Sequence, residues 1–124
     1  MPPQLYPAGA LTAAPGRPAS HHLIAPDPAG WSQIALVEWE LRGQAWADTH
    51  PHDEYNYVLD GVLLVSCDGE TVEVPAGSAV RVPAGGTGHY WAPEHARMLA
   101  IYGPNPRGDA SSTHGLTPLT DRPA

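Results

Sequence analysis

Apolar and polar residues alternate along the stretch from Gln33 to Leu41. Ala35, Val37 and Trp39 take every second position, and Glu38 and Glu40 lie between apolar neighbours. A period of two places the apolar side chains on one face, so the pattern predicts a half-buried β-strand. Further strands are predicted at Glu54 to Leu59, Val62 to Cys67, Thr71 to Val74, Ala79 to Val82, His89 to Trp91 and Arg97 to Tyr102.

Turn signals separate these strands. Asp68-Gly69 favours a tight hairpin, because glycine accepts the positive φ that such a turn needs, and Pro75-Ala76-Gly77 marks another turn. No segment shows a convincing helical period. Short strands at close spacing with Gly and Pro turns predict an all-β sandwich or barrel over residues 31–103.

Both ends of the chain have a different composition. Residues 1–30 are rich in Pro, Ala and Gly, which predicts an extended arm with one short strand near His22 to Ile24. Residues 104–124 contain little that could be buried, which predicts a loose C-terminal tail.

Composition narrows the function classes. The 124-residue chain is long enough for one compact domain, carries a net charge of −7 and has no lysine. Without a basic cluster it is not expected to bind nucleic acid, and Schiff-base chemistry is excluded. No apolar run is long enough for a membrane span, and the start of the chain does not read as a signal peptide. With Cys67 as the single cysteine, we expect a cytoplasmic protein.

Four ionisable residues are spaced at every second position: Asp48, His50, His52 and Glu54. On a continuous strand they would share one face. A row of such groups on the inward face of a small barrel is costly unless something neutralises it. Imidazole and carboxylate groups together suit Fe(II), Mn, Ni, Cu or Zn. The spacing therefore predicts a site for one divalent transition metal ion.

Two longer segments, residues 43–61 and 77–89, resemble the paired motifs of the cupin superfamily. In that family a glycine leads to a His-x-His pair, a glutamate and a glycine, and the second motif runs glycine, Pro-x-Gly and histidine. Here Glu54 precedes Gly61 by the family spacing, and His89 stands one residue later than the commonest spacing. The resemblance implies a double-stranded β-helix, or jelly-roll barrel, with a metal in its interior.

The first motif can be aligned in two ways, and His50, Glu54 and His89 are predicted metal ligands in both. In one alignment Asp48 stands where the family has its first histidine. In the other His52 pairs with His50, which is favoured because imidazole is the better ligand for late transition metals. Glu54 or Asp48, when not coordinated, is the predicted catalytic base.

A closer resemblance is to the small cupins associated with ethanolamine utilisation, carried by residues 53–61 and 96–102. That subgroup typically lacks the motif histidines, whereas this chain has them. Asn56 is two residues after Glu54, and Trp91 is two residues after His89, so each pair shares one face of its strand. Both are therefore predicted to line a substrate pocket.

The expected function is a metal-dependent enzyme that acts on a small oxygen-rich molecule by isomerase, lyase or dioxygenase chemistry. The alternative is a non-catalytic small-molecule-binding or structural cupin. The segments from Tyr57 to Leu59 and from Val62 to Val65 are apolar on both faces. Since one face fills the barrel, the other needs a cover, and we predict a homodimer.

Overall fold

A computed structural model describes residues 2–119, and these contain ten β-strands and no helix. Accordingly, nothing in this range is a helix long and apolar enough to cross a membrane. The strands are β1 (Thr12–Ala14), β2 (Arg17–Ile24), β3 (Ala35–Leu41), β4 (Gln44–Thr49), β5 (Glu54–Cys67), β6 (Glu70–Pro75), β7 (Ala79–Val82), β8 (Thr87–Ala92), β9 (Ala96–Tyr102) and β10 (Ser112–Pro118).

The strands form one curled antiparallel sheet in the order β1-β2-β3-β9-β5-β8-β4-β10, with β6 and β7 also paired to β5. The central strand β5 is 14 residues long. Its first half pairs with β7 and β9, and its second half pairs with β6 and β8. Because β5 takes part in both halves of the curled sheet, it connects the two layers, and the predicted all-β barrel is confirmed.

Gly61 lies where β5 passes from one half of the sheet to the other. Its φ is +77°, and a Cβ at this position would lie 2.0 Å from the carbonyl oxygen of His95. Both the conformation and the close approach of the two backbones require glycine here.

The core lies between the two layers of the sheet. The alternation predicted for β3 is present, since Ala35, Val37, Trp39 and Leu41 are all buried. From the other strands the core takes Trp46, Val58, Leu63, Val65, Val74, Val82, Tyr90, Ala92, Ala96, Met98 and Ala100.

The structure differs from the sequence-based expectations at both ends. Residues 112–118 form β10, which pairs with β4, instead of a loose tail. The N-terminal segment contains a hairpin of β1 and β2, and β2 pairs with most of β3. These strands are mostly polar or half-exposed, so their sequences lack alternation; they are held by backbone pairing to the exposed edges of β3 and β4. Residues 120–124 of the predicted tail lie outside the described residues.

Candidate metal centre

Asp48, His50 and Glu54 converge inside the barrel. Each offers one ligand atom, and the three atoms all lie within 4.8 Å of one another. Nε2 of His50 lies 2.7 Å from Oε1 of Glu54 and 3.0 Å from Oδ2 of Asp48. Both carboxylates are buried.

The three residues do not lie on one continuous strand, as the even spacing had suggested. Asp48 belongs to β4, Glu54 begins β5, and His50 lies in the turn between these strands. This short connection, residues 50–53, brings the end of β4 and the start of β5 to the same part of the barrel.

Both carboxylates are held by hydrogen bonds from neighbouring side chains. Nε1 of Trp46 donates to Oδ2 of Asp48 over 2.8 Å. Nδ2 of Asn56 donates to Oε2 of Glu54 over 2.7 Å, and Nε1 of Trp39 donates to Oδ1 of Asn56 over 2.7 Å. Outer partners of this kind orient the groups that contact a metal. The structure therefore places Asn56 behind Glu54, where it supports the carboxylate.

The carboxylates of Asp48 and Glu54 raise the pKa of His50. Burial lowers its pKa, but the hydrogen bonds and negative charges of Asp48 and Glu54 outweigh that effect and raise the pKa to about 10. The other ring nitrogen, Nδ1, is within hydrogen-bonding distance of the Ser111 hydroxyl. At neutral pH a proton thus sits between one imidazole and two carboxylates. A divalent cation can take the place of this proton, so the donor set fits a metal ion.

His52 is buried beside the cluster but does not belong to it. The rings of His50, His52 and Tyr102 contact one another, with centroid distances of 4.7 Å between the histidines, 5.1 Å from His52 to Tyr102 and 5.6 Å from His50 to Tyr102. Nδ1 of His52 donates to the carbonyl oxygen of Asp53, and burial lowers the pKa of the imidazole. Of the two candidates for the additional ligand, the structure brings Asp48 rather than His52 to the shared point.

His89 lies on the outer face of β8, which corrects the expectation that it is a ligand. Gly88, Tyr90 and Ala92 are buried, whereas His89 is exposed. A residue one position later than the usual motif spacing points to the opposite side of a strand. Trp91 shares that outward parity. Together they line a separate surface depression of about 550 Å³ that is not the pocket of the cluster.

Tyr90 was missed by the sequence analysis. Its ring packs edge-on against Trp39, with a centroid distance of 5.5 Å, and its side chain is buried. The hydroxyl group has no hydrogen-bond partner among residues 2–119. Burial and the negative charges of Glu54 and Asp48 raise the pKa of the phenol, so it stays protonated. The sequence did contain a signal for this position. Tyr90 is adjacent to His89, so the two side chains must lie on opposite faces of the strand.

The cluster opens into a pocket of about 900 Å³. Trp39, Trp46, His52 and Tyr102 form part of its wall near the cluster. The lining also includes residues of the β1–β2 hairpin, residues 26–28, 31, 37 and 100, and residues 108–111 and 113. A cavity of this size is typical of small-molecule sites, and its wall combines aromatic side chains with charged and polar ones.

The sequence profile of the cupin domain family matches residues 35–102, which is more than half of the chain. The chain belongs to the cupin domain family. The matched range begins with β3 and ends with β9, so it contains the cluster but neither the β1–β2 hairpin nor β10.

Comparison with individual proteins agrees with this membership. The cupin is 29% identical over 62 residues to a Clostridioides difficile protein named acetate kinase EutQ, and the match covers 50% of this chain but only 40% of that relative. The solved structure of Clostridium difficile EutQ has a TM-score of 0.58 at 21% identity, over 74% of this chain and 69% of that one.

Two further solved structures share the fold. KdgF from Halomonas sp. has a TM-score of 0.62 at 22% identity and covers 81% of this chain and 89% of its own. A Klebsiella pneumoniae protein with a double-stranded β-helix domain has a TM-score of 0.65 at 14% identity, over 84% and 90% of the two chains. At these identities the likeness shows the fold alone, and the expected double-stranded β-helix is confirmed.

Proposed function

We propose that this cupin binds one divalent transition metal ion through Asp48, His50 and Glu54 and acts as a metal-dependent enzyme on a small oxygen-rich molecule. The observation that carries the proposal is the convergence of three ligand atoms within 4.8 Å, on side chains that are already oriented by Trp46 and Asn56. A metal bound there would supply Lewis-acid chemistry, or dioxygen activation in the case of iron.

The donor set narrows the choice of metal. One imidazole nitrogen and two carboxylate oxygens form an oxygen-rich site. Carboxylate donors suit Mn²⁺, and mixed imidazole and carboxylate donors suit Fe²⁺, whereas thiolates are absent from the cluster. Manganese or iron is therefore proposed in preference to copper or zinc.

The reaction is proposed to be of the isomerase, lyase or dioxygenase type. Such reactions need a proton acceptor close to the substrate. A carboxylate oxygen of Glu54 or Asp48 that does not contact the metal would serve as this base. Tyr102 and His52 stack on each other with their rings 9° from parallel, and both line the pocket, where a planar substrate group can pack against them.

Arg17 indicates that the ligand carries a negative charge. It lines the pocket from the β1–β2 hairpin. Arg42, Arg81, Arg97 and Arg107 each form an ion pair with a carboxylate, but within residues 2–119 Arg17 forms none. In a chain with a net charge of −7, a guanidinium group left free at a pocket wall suits a carboxylate or another oxyanion.

Elemental analysis of protein purified without a histidine tag and without added metal tests the metal site. We expect near one equivalent of a transition metal, lost in His50→Ala and in Asp48→Asn. His89→Ala is the matched control and keeps the metal, since this histidine is on the outer face. Metal below a tenth of an equivalent, not restored by adding Fe or Mn, would overturn the proposal.

A non-catalytic binding or structural cupin is the second candidate, and one contact favours it. The protonated His50 already pairs with both carboxylates and offsets one of their two negative charges without a metal ion. In that case the pocket would bind a small molecule with no turnover. Ligand binding by metal-free protein that is unaffected by a chelator would support this function.

We also propose a homodimer located in the cytoplasm. Tyr55, Tyr57, Leu59, Val62 and Val72 are each at least 39% exposed on β5 and β6. Burial against a second copy would remove this apolar surface from water. Light scattering should give twice the chain mass, and Tyr57→Ser should shift the equilibrium toward the monomer.

A further inference from the structure

Gly88 occupies the place at which the second motif would supply its histidine, because His89 stands one residue later than the usual spacing. In the pairing of β4 with β8, Gly88 lies directly opposite Asp48. It is also on the buried face of β8. A side chain at this position would therefore project toward the cluster, and glycine leaves that space to a neighbour.

The neighbour that takes the space is Tyr90. Two residues further along the same face of β8, its hydroxyl oxygen lies 2.7 Å from the point that a Cβ of residue 88 would occupy. The side chain is 1% exposed, and its hydroxyl group is unpartnered among the described residues. A buried hydroxyl without a partner is unfavourable and calls for a specific explanation.

The hydrogen bonds of Glu54 provide an explanation for the unpartnered hydroxyl of Tyr90. Its Oε1 contacts Nε2 of His50, and its Oε2 accepts from Nδ2 of Asn56. With a metal ion in the cluster, Oε1 of Glu54 would contact the ion in place of Nε2 of His50, and the carboxylate would keep lone pairs open to a further donor. Tyr90 is a buried O–H group beside this carboxylate: burial, the negative charges of Glu54 and Asp48, and the approach of its hydroxyl to the Glu54 side chain all raise the pKa of the phenol.

We propose that Tyr90 is a positioning residue of the metal centre, whose hydroxyl donates a hydrogen bond to the Glu54 carboxylate once a metal ion occupies the cluster. Its hydroxyl fills the space beside Gly88, where the motif would have its histidine. Tyr90 would support the ligand Glu54 and would not itself bind the metal. The inference rests on the metal site of the proposed function. Partners of this kind typically change metal affinity by about 10- to 100-fold.

Tyr90→Phe tests the inference, because it keeps the ring and removes the hydroxyl. The dissociation constant for Mn²⁺, measured by calorimetry, should rise about 10- to 100-fold. The metal-free variant should unfold at the same temperature as the wild type or a higher one, since it loses an unsatisfied group. Tyr6→Phe, which removes a hydroxyl from an exposed side chain of the N-terminal segment outside the pocket lining, is the matched control and should change neither quantity.

A double variant shows whether Tyr90 acts through Glu54. In a Glu54→Gln background, Tyr90→Phe should weaken Mn²⁺ binding much less than it does in the wild type. Equal Mn²⁺ affinity of Tyr90→Phe and wild type would overturn the inference and leave the proposed function intact. A metal-free Tyr90→Phe protein that is markedly less stable would also overturn it, because the hydroxyl would then be bonded already. A wild type that binds no metal would overturn the proposed function itself.

Discussion

Nε2 of His50 lies 2.7 Å from Oε1 of Glu54, so two proposed metal ligands already bind each other. The proton they share has to leave before a metal ion can bind the imidazole. Metal uptake and proton release are therefore coupled at this site.

The first prediction is that metal affinity rises with pH. The pKa of His50 is about 10 in the metal-free protein, so below that pH the Mn²⁺ dissociation constant should fall about tenfold for each pH unit gained. Calorimetry in buffers of different ionisation enthalpy should show one proton released per metal bound at pH 7.5. Binding without proton release would contradict the assignment of His50 as a ligand.

The same pair predicts how the stability of the metal-free fold depends on pH. The pKa of His50 is raised from its ordinary value of 6.5 to about 10, so the folded state binds this proton more tightly than the unfolded state does. The resulting stabilisation is complete below about pH 6.5 and is lost as the pH rises through about 10. Urea unfolding between pH 6 and 10 should show this loss, and His50→Gln should reduce the slope.

Asn56 should matter for stability as well as for the site. It links Nε1 of Trp39 to Oε2 of Glu54 and is 1% exposed. Asn56→Ala leaves both groups buried without their partner, at a cost of about 1–3 kcal/mol for each. We expect a marked fall in the urea midpoint, whereas Thr71→Ala on exposed β6 should leave it nearly unchanged. Similar midpoints for the two variants would contradict the role given to Asn56.

Two glycines with nearly equal φ angles allow a matched comparison of the cost of an added Cβ. Gly61 and Gly69 have φ values of +77° and +79°, but only Gly61 has backbone close to its missing Cβ. Alanine at Gly69 should cost roughly 1–2 kcal/mol, the strain of a left-handed residue. Alanine at Gly61 should cost clearly more, because β5 and the chain at His95 would have to separate. Denaturant unfolding of both variants tests this, and equal losses would speak against the close approach.

Arg17 should affect anionic ligands alone. Arg17→Gln is expected to weaken binding of an α-hydroxy dicarboxylate to the metal-loaded protein roughly tenfold, about 1.4 kcal/mol, a typical strength for a charge-assisted hydrogen bond. A neutral polyol should bind equally to both proteins. Arg107→Gln is the control, since Arg107 pairs with Asp109 and is outside the pocket lining. If both substitutions weaken binding of the dicarboxylate equally, the effect comes from the net charge of the protein and not from a contact with Arg17.

Much of the barrel could be predicted because apolar and polar residues alternate along its strands, as in β3. The strands β2 and β10 could not, since they are attached by backbone pairing and bury few side chains. His50 and Glu54 were predicted from residue type and spacing, whereas the sequence favoured His52 over Asp48 as their companion. A turn, not a continuous strand, brings Asp48, His50 and Glu54 together. His89 and Trp91 were misplaced because a shift of one residue exchanges the two faces of a strand.

The rim of the pocket comes from stretches of chain on either side of the family match. Thr12, Arg17 and His22 precede residues 35–102, and Ser111 and Thr113 follow them. Apart from the contact of Ser111 with His50, the two terminal segments can therefore diverge without disturbing the barrel core or the cluster. Relatives with the same metal chemistry can differ in what they accept, and exchanging both segments between two such proteins should transfer ligand preference while each keeps its own metal.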